Sequence, residues 1–164
     1  GHILVDSRPG SGTAFQLLFP GVVPAVTVEE VGESGSVKPF AGSGHVMVVD
    51  DEEMVAGMTG ELLKVHGYQV SIFTDSRKAL DRFKSSPAVF DAIVTDQTMP
   101  ALTGTELARE VLALRPNFPI ILCTGYSDKV DAAAAKQIGI RWFFLKPVAT
   151  GDLLTALAST RDNS

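Results

Sequence analysis

Along most of the chain, short apolar runs alternate with stretches whose apolar residues recur every three to four positions. The runs lie at Val46–Val49, Val70–Phe73, Ala92–Thr95, Ile120–Cys123 and Trp142–Leu145. Each is short, rich in β-branched or aromatic residues and bounded by turn formers, which predicts strands. Between them, Met54, Met58, Leu62 and Val65 keep helical spacing up to Gly67, a good C-terminal stop. Asp75 or Ser76 can cap a helix carrying Ala79, Leu80 and Phe83 that ends before Pro87. Thr103 or Thr105 can open one holding Leu107, Val111 and Leu114, stopped by Pro116. Asp128 can open the alanine-rich stretch to Ile138, ended by Gly139, and Thr150 can cap a last helix with Leu153, Leu154 and Leu157. Five strands alternating with five helices imply right-handed crossovers and a parallel sheet. Nearly continuous apolar strands imply burial on both faces. The expectation is a doubly wound α/β domain over residues 44–164, with helices on both faces, roughly 120 residues and large enough for one core.

The first 43 residues follow a different pattern. Ile3–Val5 and Ala14–Phe19 are apolar runs split by Arg8-Pro9-Gly10-Ser11-Gly12, a hairpin signal over residues 1–20. Two strands alone bury too little to be stable, so this hairpin reads as part of a larger sheet. Residues 21–43 hold scattered Gly, Pro, Ser and Glu with no apolar period, which predicts a flexible linker. The chain starts at Gly1 with no initiator methionine, and we expect a piece of a longer protein.

Composition narrows the function. A net charge of −5, with 14 basic residues scattered along the chain, argues against a nucleic-acid surface. No apolar run approaches the ~18 residues of a membrane helix, and the first residues lack the order of a signal peptide. The single cysteine, Cys123, cannot form an internal disulfide and fits a reducing compartment. A cytoplasmic module without direct membrane or nucleic-acid contact is expected.

In doubly wound sheets, ligands bind beyond the carboxyl ends of the strands. Those ends carry Asp50 and Asp51, then Asp96, then Thr124 and Gly125, then Lys146 and Pro147. Three carboxylates a few ångströms apart repel by roughly several kcal/mol in a partly dry site. A hard divalent cation offsets that repulsion, and oxygen-only ligands suit Mg²⁺ better than zinc. The lysine and threonine would face an anion held by the same metal, and a phosphoryl group suits all of them. The two acids that follow, Glu52 and Glu53, fit the first turn of a helix, whose positive end favours them.

The stretches "VMVVDDEE", "DAIVTDQTMPALTG", "ILCTGYSD" and "FFLKPV" resemble the receiver domain of two-component response regulators, in order and spacing. The resemblance implies a flavodoxin-like sheet of order 2-1-3-4-5, counting from Val46. It implies that Asp96 accepts a phosphoryl group from a phosphohistidine donor domain. Asp51 would bind Mg²⁺ directly, Asp50 mainly through water, and Thr98 through its backbone carbonyl. Lys146 would rest on Asp96 and pair with a phosphoryl oxygen, and Thr124 would hydrogen-bond the phosphoryl group. Phe143 occupies the aromatic switch position, usually tyrosine, so switching there would rely on packing alone. The Lys146–Pro147 bond would be cis, and Tyr126 would lie near the path of the hydrolytic water.

"GHILVDSRPGSGTAFQLLFP" resembles the last hairpin of a histidine-kinase ATPase domain. That implies the C-terminal part of a hybrid sensor histidine kinase, with a downstream phosphotransfer or effector protein as partner and homodimerisation as a further possibility. The asparagine box and glycine lid of such an ATP site are missing, so this stretch would act as phosphoacceptor with self-dephosphorylation only. His2, His45 and His66 read as structural or solvated. Two rivals are an Mg²⁺-dependent phosphatase, which would want Asp-x-Asp on its first strand, and a receiver used only as an interaction surface.

Overall fold

The N-terminal runs form an antiparallel hairpin of β1 (His2–Arg8) and β2 (Gly12–Leu18), with pairs from His2 opposite Leu18 to Arg8 opposite Gly12. Gly10 and Gly12 take positive φ at the turn, where a side chain would be strained. Residues directly opposite share a face, so Ile3, Leu17, Val5 and Phe15 form one apolar surface. All residues of both strands are exposed. In this computed structural model, residues 2–10, 12–18, 42–125 and 132–160 are described. The linker expected over 21–43 therefore lies almost wholly outside the described residues, as do Tyr126 and Asp128. The chain divides into two compact units, Gly1–Ser36 and Val37–Ser164.

The second unit alternates as the apolar pattern predicts. Its elements run β3 (His45–Val49), α1 (Glu53–Val65), β4 (Gln69–Phe73), α2 (Ser76–Ser85), a 3₁₀ turn, β5 (Ala92–Asp96), α3 (Gly104–Leu114), β6 (Ile120–Thr124), α4 (Ala132–Ile138), β7 (Trp142–Leu145) and α5 (Thr150–Ser159). The five strands are parallel in the order β4-β3-β5-β6-β7, which is the expected 2-1-3-4-5. All strand carboxyl ends therefore lie along one edge of the domain.

The pleat divides each central strand between two cores. Met47, Val49, Ile93, Ile120 and Leu122 point to α2, α3 and α4, where Phe83, Leu107 and Val111 meet them. Val48, Val94, Ile121 and Cys123 point to α1 and α5, where Ala56, Leu63, Leu153 and Leu157 meet them. Each fully buried Leu, Ile or Phe contributes roughly 1.5–3 kcal/mol of transfer free energy, enough for the two layers to hold the sheet from both sides.

Helix ends follow local chemistry. Asp75, not Ser76, caps α2, accepting from Arg77 N at 2.8 Å and Lys78 N at 3.1 Å. Thr103 caps α3 in a reciprocal box with Glu106. The cap of α5 differs from expectation: Ala149 takes that position without a side-chain bond, and Thr150 is the first helical residue. In α1 the stripe that signals the helix is not its buried face. Met54, Met58 and Val65 are exposed, and Ala56, Gly60 and Leu63 are buried. Small residues suffice there because the helix lies close on β4: a Cβ at Gly60 would run into Ile72.

Candidate functional site

Each strand end contributes one group to the carboxyl edge of the sheet. β3 stops at Val49, and the next residue, Asp50, is 6% exposed. Its Oδ1 accepts from Glu52 N at 3.0 Å, folding the carboxylate back over the start of α1. β5 ends in Asp96, 7% exposed, whose Oδ2 accepts from Thr98 N at 2.6 Å. β7 is followed by Lys146, whose N–H donates to the Thr124 carbonyl at 2.8 Å and so joins the ends of β7 and β6. The Lys146–Pro147 bond is cis, as the resemblance implies.

These anchors bring three side chains together. Lys146 Nζ lies 2.6 Å from Asp96 Oδ1 and 2.9 Å from Asp50 Oδ2. One ammonium thus bridges two carboxylates that are largely withdrawn from water. Burial on its own pulls the lysine pKa down, but the hydrogen bonds and charges of Asp96 and Asp50 outweigh it, and the net shift is upward. Lys146 is accordingly charged at neutral pH.

The remaining expected residues stand around this bridge. Thr124 closes β6 and is 1% exposed, its hydroxyl turned to the Gly125 carbonyl at 3.3 Å. Thr98 is exposed and reaches Asp96 through its N–H. Asp51 is exposed beside Asp50, and among the described residues no three acidic, His or Cys side chains are gathered at metal-binding spacing. Phe143 is half-buried and packs into the α2–α3–α4 layer. Cys123 is held in the sheet, and burial pushes its thiol up to about 12, which leaves it protonated and unreactive at neutral pH. His45 Nε2 bonds Ser71 Oγ at 2.9 Å and His66 Nδ1 bonds the Leu62 carbonyl at 2.8 Å, both structural contacts.

The donor set fits a hard divalent cation in kind. It contains oxygens only, and two carboxylates against one ammonium leave net negative charge at the mouth, increased by Asp51. A cavity of about 510 Å³ opens at the bridge, lined by Asp50, Asp96 and Lys146 together with apolar residues such as Met58, Leu62 and Leu153.

Beyond the expected set, Gly104 and Gln97 lie against Asp96, and Ser76 only tethers the loop between them. Gly104 faces the Asp96 carbonyl so closely that a Cβ would collide with it and with Leu122. Ser76 is buried and its Oγ accepts from Leu102 N at 2.9 Å. Gln97 is buried and bonded to the first turn of α3. Nothing in a single sequence distinguishes them from ordinary loop and helix-start residues, because burial at these places is set by distant segments.

Comparison with known proteins agrees with this architecture. The family model "Response regulator receiver domain" matches residues 46–158. The chain is 34% identical over 114 residues to the transcriptional regulatory protein FixJ of Bradyrhizobium diazoefficiens, covering 70% of this chain and 54% of that protein. It is 26% identical over 163 residues to the sensor kinase CckA of Brucella abortus, covering 96% of this chain but 17% of that protein. A response regulator receiver domain protein from Clostridium thermocellum superposes with a TM-score of 0.70 at 28% identity, over 73% of this chain and 94% of that one. Over the extent of its five-stranded unit, the chain belongs to the response regulator receiver domain family of two-component signal transduction.

Proposed function

We propose that this receiver takes a phosphoryl group onto Asp96 from a phosphohistidine donor, as the acceptor step of a phosphorelay. The observation that carries the reading is the Lys146 bridge, which gathers Asp96, Asp50 and a cation from three strand ends. In the reaction, one Asp96 carboxylate oxygen forms a bond to phosphorus while the bond from phosphorus to the donor nitrogen breaks. The electron pair of that bond returns to the imidazole. Such transfers have loose transition states, so catalysis consists mainly of alignment and charge compensation.

Each residue has a task in that scheme. The Thr98 N–H fixes Oδ2 of Asp96, which leaves Oδ1 to attack. Lys146 releases Oδ1 and pairs with a phosphoryl oxygen, while staying anchored to Asp50. Thr124 turns its hydroxyl to another phosphoryl oxygen. Asp50, Asp51, Asp96 and the Thr98 carbonyl would hold Mg²⁺, which supplies charge compensation when bound. Phe143 repacks as Thr124 moves, carrying the change towards α4 and β7.

The similarity to a sensor kinase covers 96% of the chain and so extends into the hairpin. It supports a hybrid sensor kinase context, in which β1 and β2 close the sheet of a preceding ATPase domain. The module would then work in the cytoplasm, pass its phosphoryl group to a downstream phosphotransfer or effector protein, and could pair with a second copy. The decisive experiment is incubation with acetyl phosphate and Mg²⁺ followed by intact mass spectrometry. One added phosphoryl group, lost in Asp96→Asn, is the expected result; no adduct under any small donor would leave a module that acts by binding alone.

A further inference from the structure

The residue after Asp96 is a buried polar side chain that the scheme above does not use. Gln97 is 7% exposed, and a buried amide is costly unless its hydrogen bonds are met. Each of its bonds ties the end of β5 to a neighbour. Its N–H donates to the Cys123 carbonyl at 2.8 Å, and its carbonyl accepts from Gly104 N at 3.0 Å. Its Oε1 accepts from Thr105 N at 3.1 Å, and its Nε2 reaches Thr105 Oγ1 at 3.4 Å. One residue therefore satisfies two of the first N–H groups of α3, which have no partner inside the helix.

The peptide joining Gln97 to Thr98 links this anchoring to Asp96. Its carbonyl oxygen is the one held by Gly104 N, and its N–H is the one that donates to Asp96 Oδ2 at 2.6 Å. A peptide unit is planar, so fixing its carbonyl fixes the direction of its N–H. The N–H in turn fixes the rotation of the Asp96 carboxylate. Gln97 holds α3 against this peptide by its side chain as well as its backbone, and Gly104 lets the helix approach that closely.

We propose that Gln97 is a positioning residue for the acceptor: its side chain locks the start of α3 onto the Gln97–Thr98 peptide and so orients Asp96 for in-line attack. The inference rests on the reading of Asp96 as the phosphoacceptor. It makes the amide at position 97 a determinant of the transfer rate and not of donor affinity, because Lys146 and Thr124 are held by other strands.

The test compares wild type, Gln97→Leu and Ser76→Ala in the full chain, measuring Asp96 phosphorylation against acetyl phosphate concentration at fixed Mg²⁺. Leucine approximates the volume without the hydrogen bonds. Ser76→Ala cuts the other tether of the same loop, at Leu102, and reports general loosening. Gln97→Leu is expected to lower the maximal rate on the order of tenfold, since misplacement by 1 Å can cost about a hundredfold. Its half-saturating donor concentration should stay within about twofold, and Ser76→Ala should keep the parental rate despite a lower melting temperature. A Gln97→Leu protein that reacts at the parental rate, or loses only donor affinity, overturns the proposal. Equal slowing in Ser76→Ala overturns it as well. A wild type that takes no phosphoryl group overturns the acceptor reading itself, whereas the first two outcomes leave that reading standing. Amide exchange in the wild type gives a second check that needs no variant: the Thr105 N–H should be protected like an interior helical amide, and free exchange would refute the lock.

Discussion

At the scale of single residues, the site depends on how two buried carboxylates share one ammonium. Asp50 and Asp96 come from adjacent strands and would repel across the sheet edge if Lys146 did not lie between them. Asp51, one residue further on, is exposed and its carboxylate faces water. The sequence motif "DDEE" thus divides into one acid that anchors lysine, one exposed to water, and two at the start of α1. Glu52 sits at the N-cap and Glu53 opens the helix, where negative charge is favoured by the exposed N–H groups. We predict that Asp51→Ala abolishes Mg²⁺ binding measured by titration calorimetry, while Glu53→Ala leaves the affinity within about twofold of the parent, as expected for a solvated helix-end charge. Equal losses would assign both acids to a diffuse negative surface. Asp50, Asp96 and Lys146 could be picked out in the sequence because strand ends in a parallel sheet converge by topology alone. Gln97 could not, since its burial depends on α3 packing across Asp96, a contact that no local pattern encodes.

At the scale of elements, α3 carries the geometry of the site through its first turn. Thr103 Oγ1 accepts from Glu106 N at 3.3 Å, and Glu106 Oε2 accepts from Thr103 N at 2.8 Å. The bonds that Thr103 donates to that carboxylate, from its backbone N–H first and from its hydroxyl at 2.9 Å second, hold the Glu106 carboxyl below its ordinary value. A depressed folded value means the carboxylate contributes stability above the ordinary glutamate range, near pH 4.3, and loses it as pH falls through the folded value. Separately from that shift, loss of the N-cap hydroxyl in Thr103→Ala should cost about 1 kcal/mol in urea denaturation at pH 7, the usual size for such a cap. The difference between wild type and Glu106→Gln should shrink towards zero in acid. A gap that widens in acid would contradict the assignment. The same element shows the limits of periodicity. The sequence left Thr103 and Thr105 as alternative caps before the apolar period, and the glutamate three residues past Thr103 is what distinguishes it. For α1, the period found the helix but not its buried side, because Ala56 and Gly60 carry little hydrophobic signal, and Met54 and Met58 carry much.

For the whole molecule, the two cores and the complete lysine bridge lie within one unit. Residues 42–164 alone are expected to melt at the same temperature as the full chain and to accept phosphate from acetyl phosphate at the same rate. Scanning calorimetry and the mass assay would show it, and a marked drop in either would mean that the N-terminal segment completes the receiver. The hairpin is the reverse case: it was legible from its glycine turn, and none of its strand residues is buried.

The chain enters the receiver at the amino end of the sheet. Gly42 N donates to the His66 carbonyl at 2.7 Å, a Cβ on Gly42 would strike the ring of Tyr68, and β3 then runs five residues before Asp50. His45, where β3 begins, and Asp50, just past its end, are thus at opposite ends of the sheet, about 16 Å apart at ~3.3 Å per strand residue. On the proposed reading of Asp96 as acceptor, a tether joined at the His45 end would act as a concentration device, its span setting how often a donor on the same polypeptide meets Asp96 relative to a donor arriving from solution.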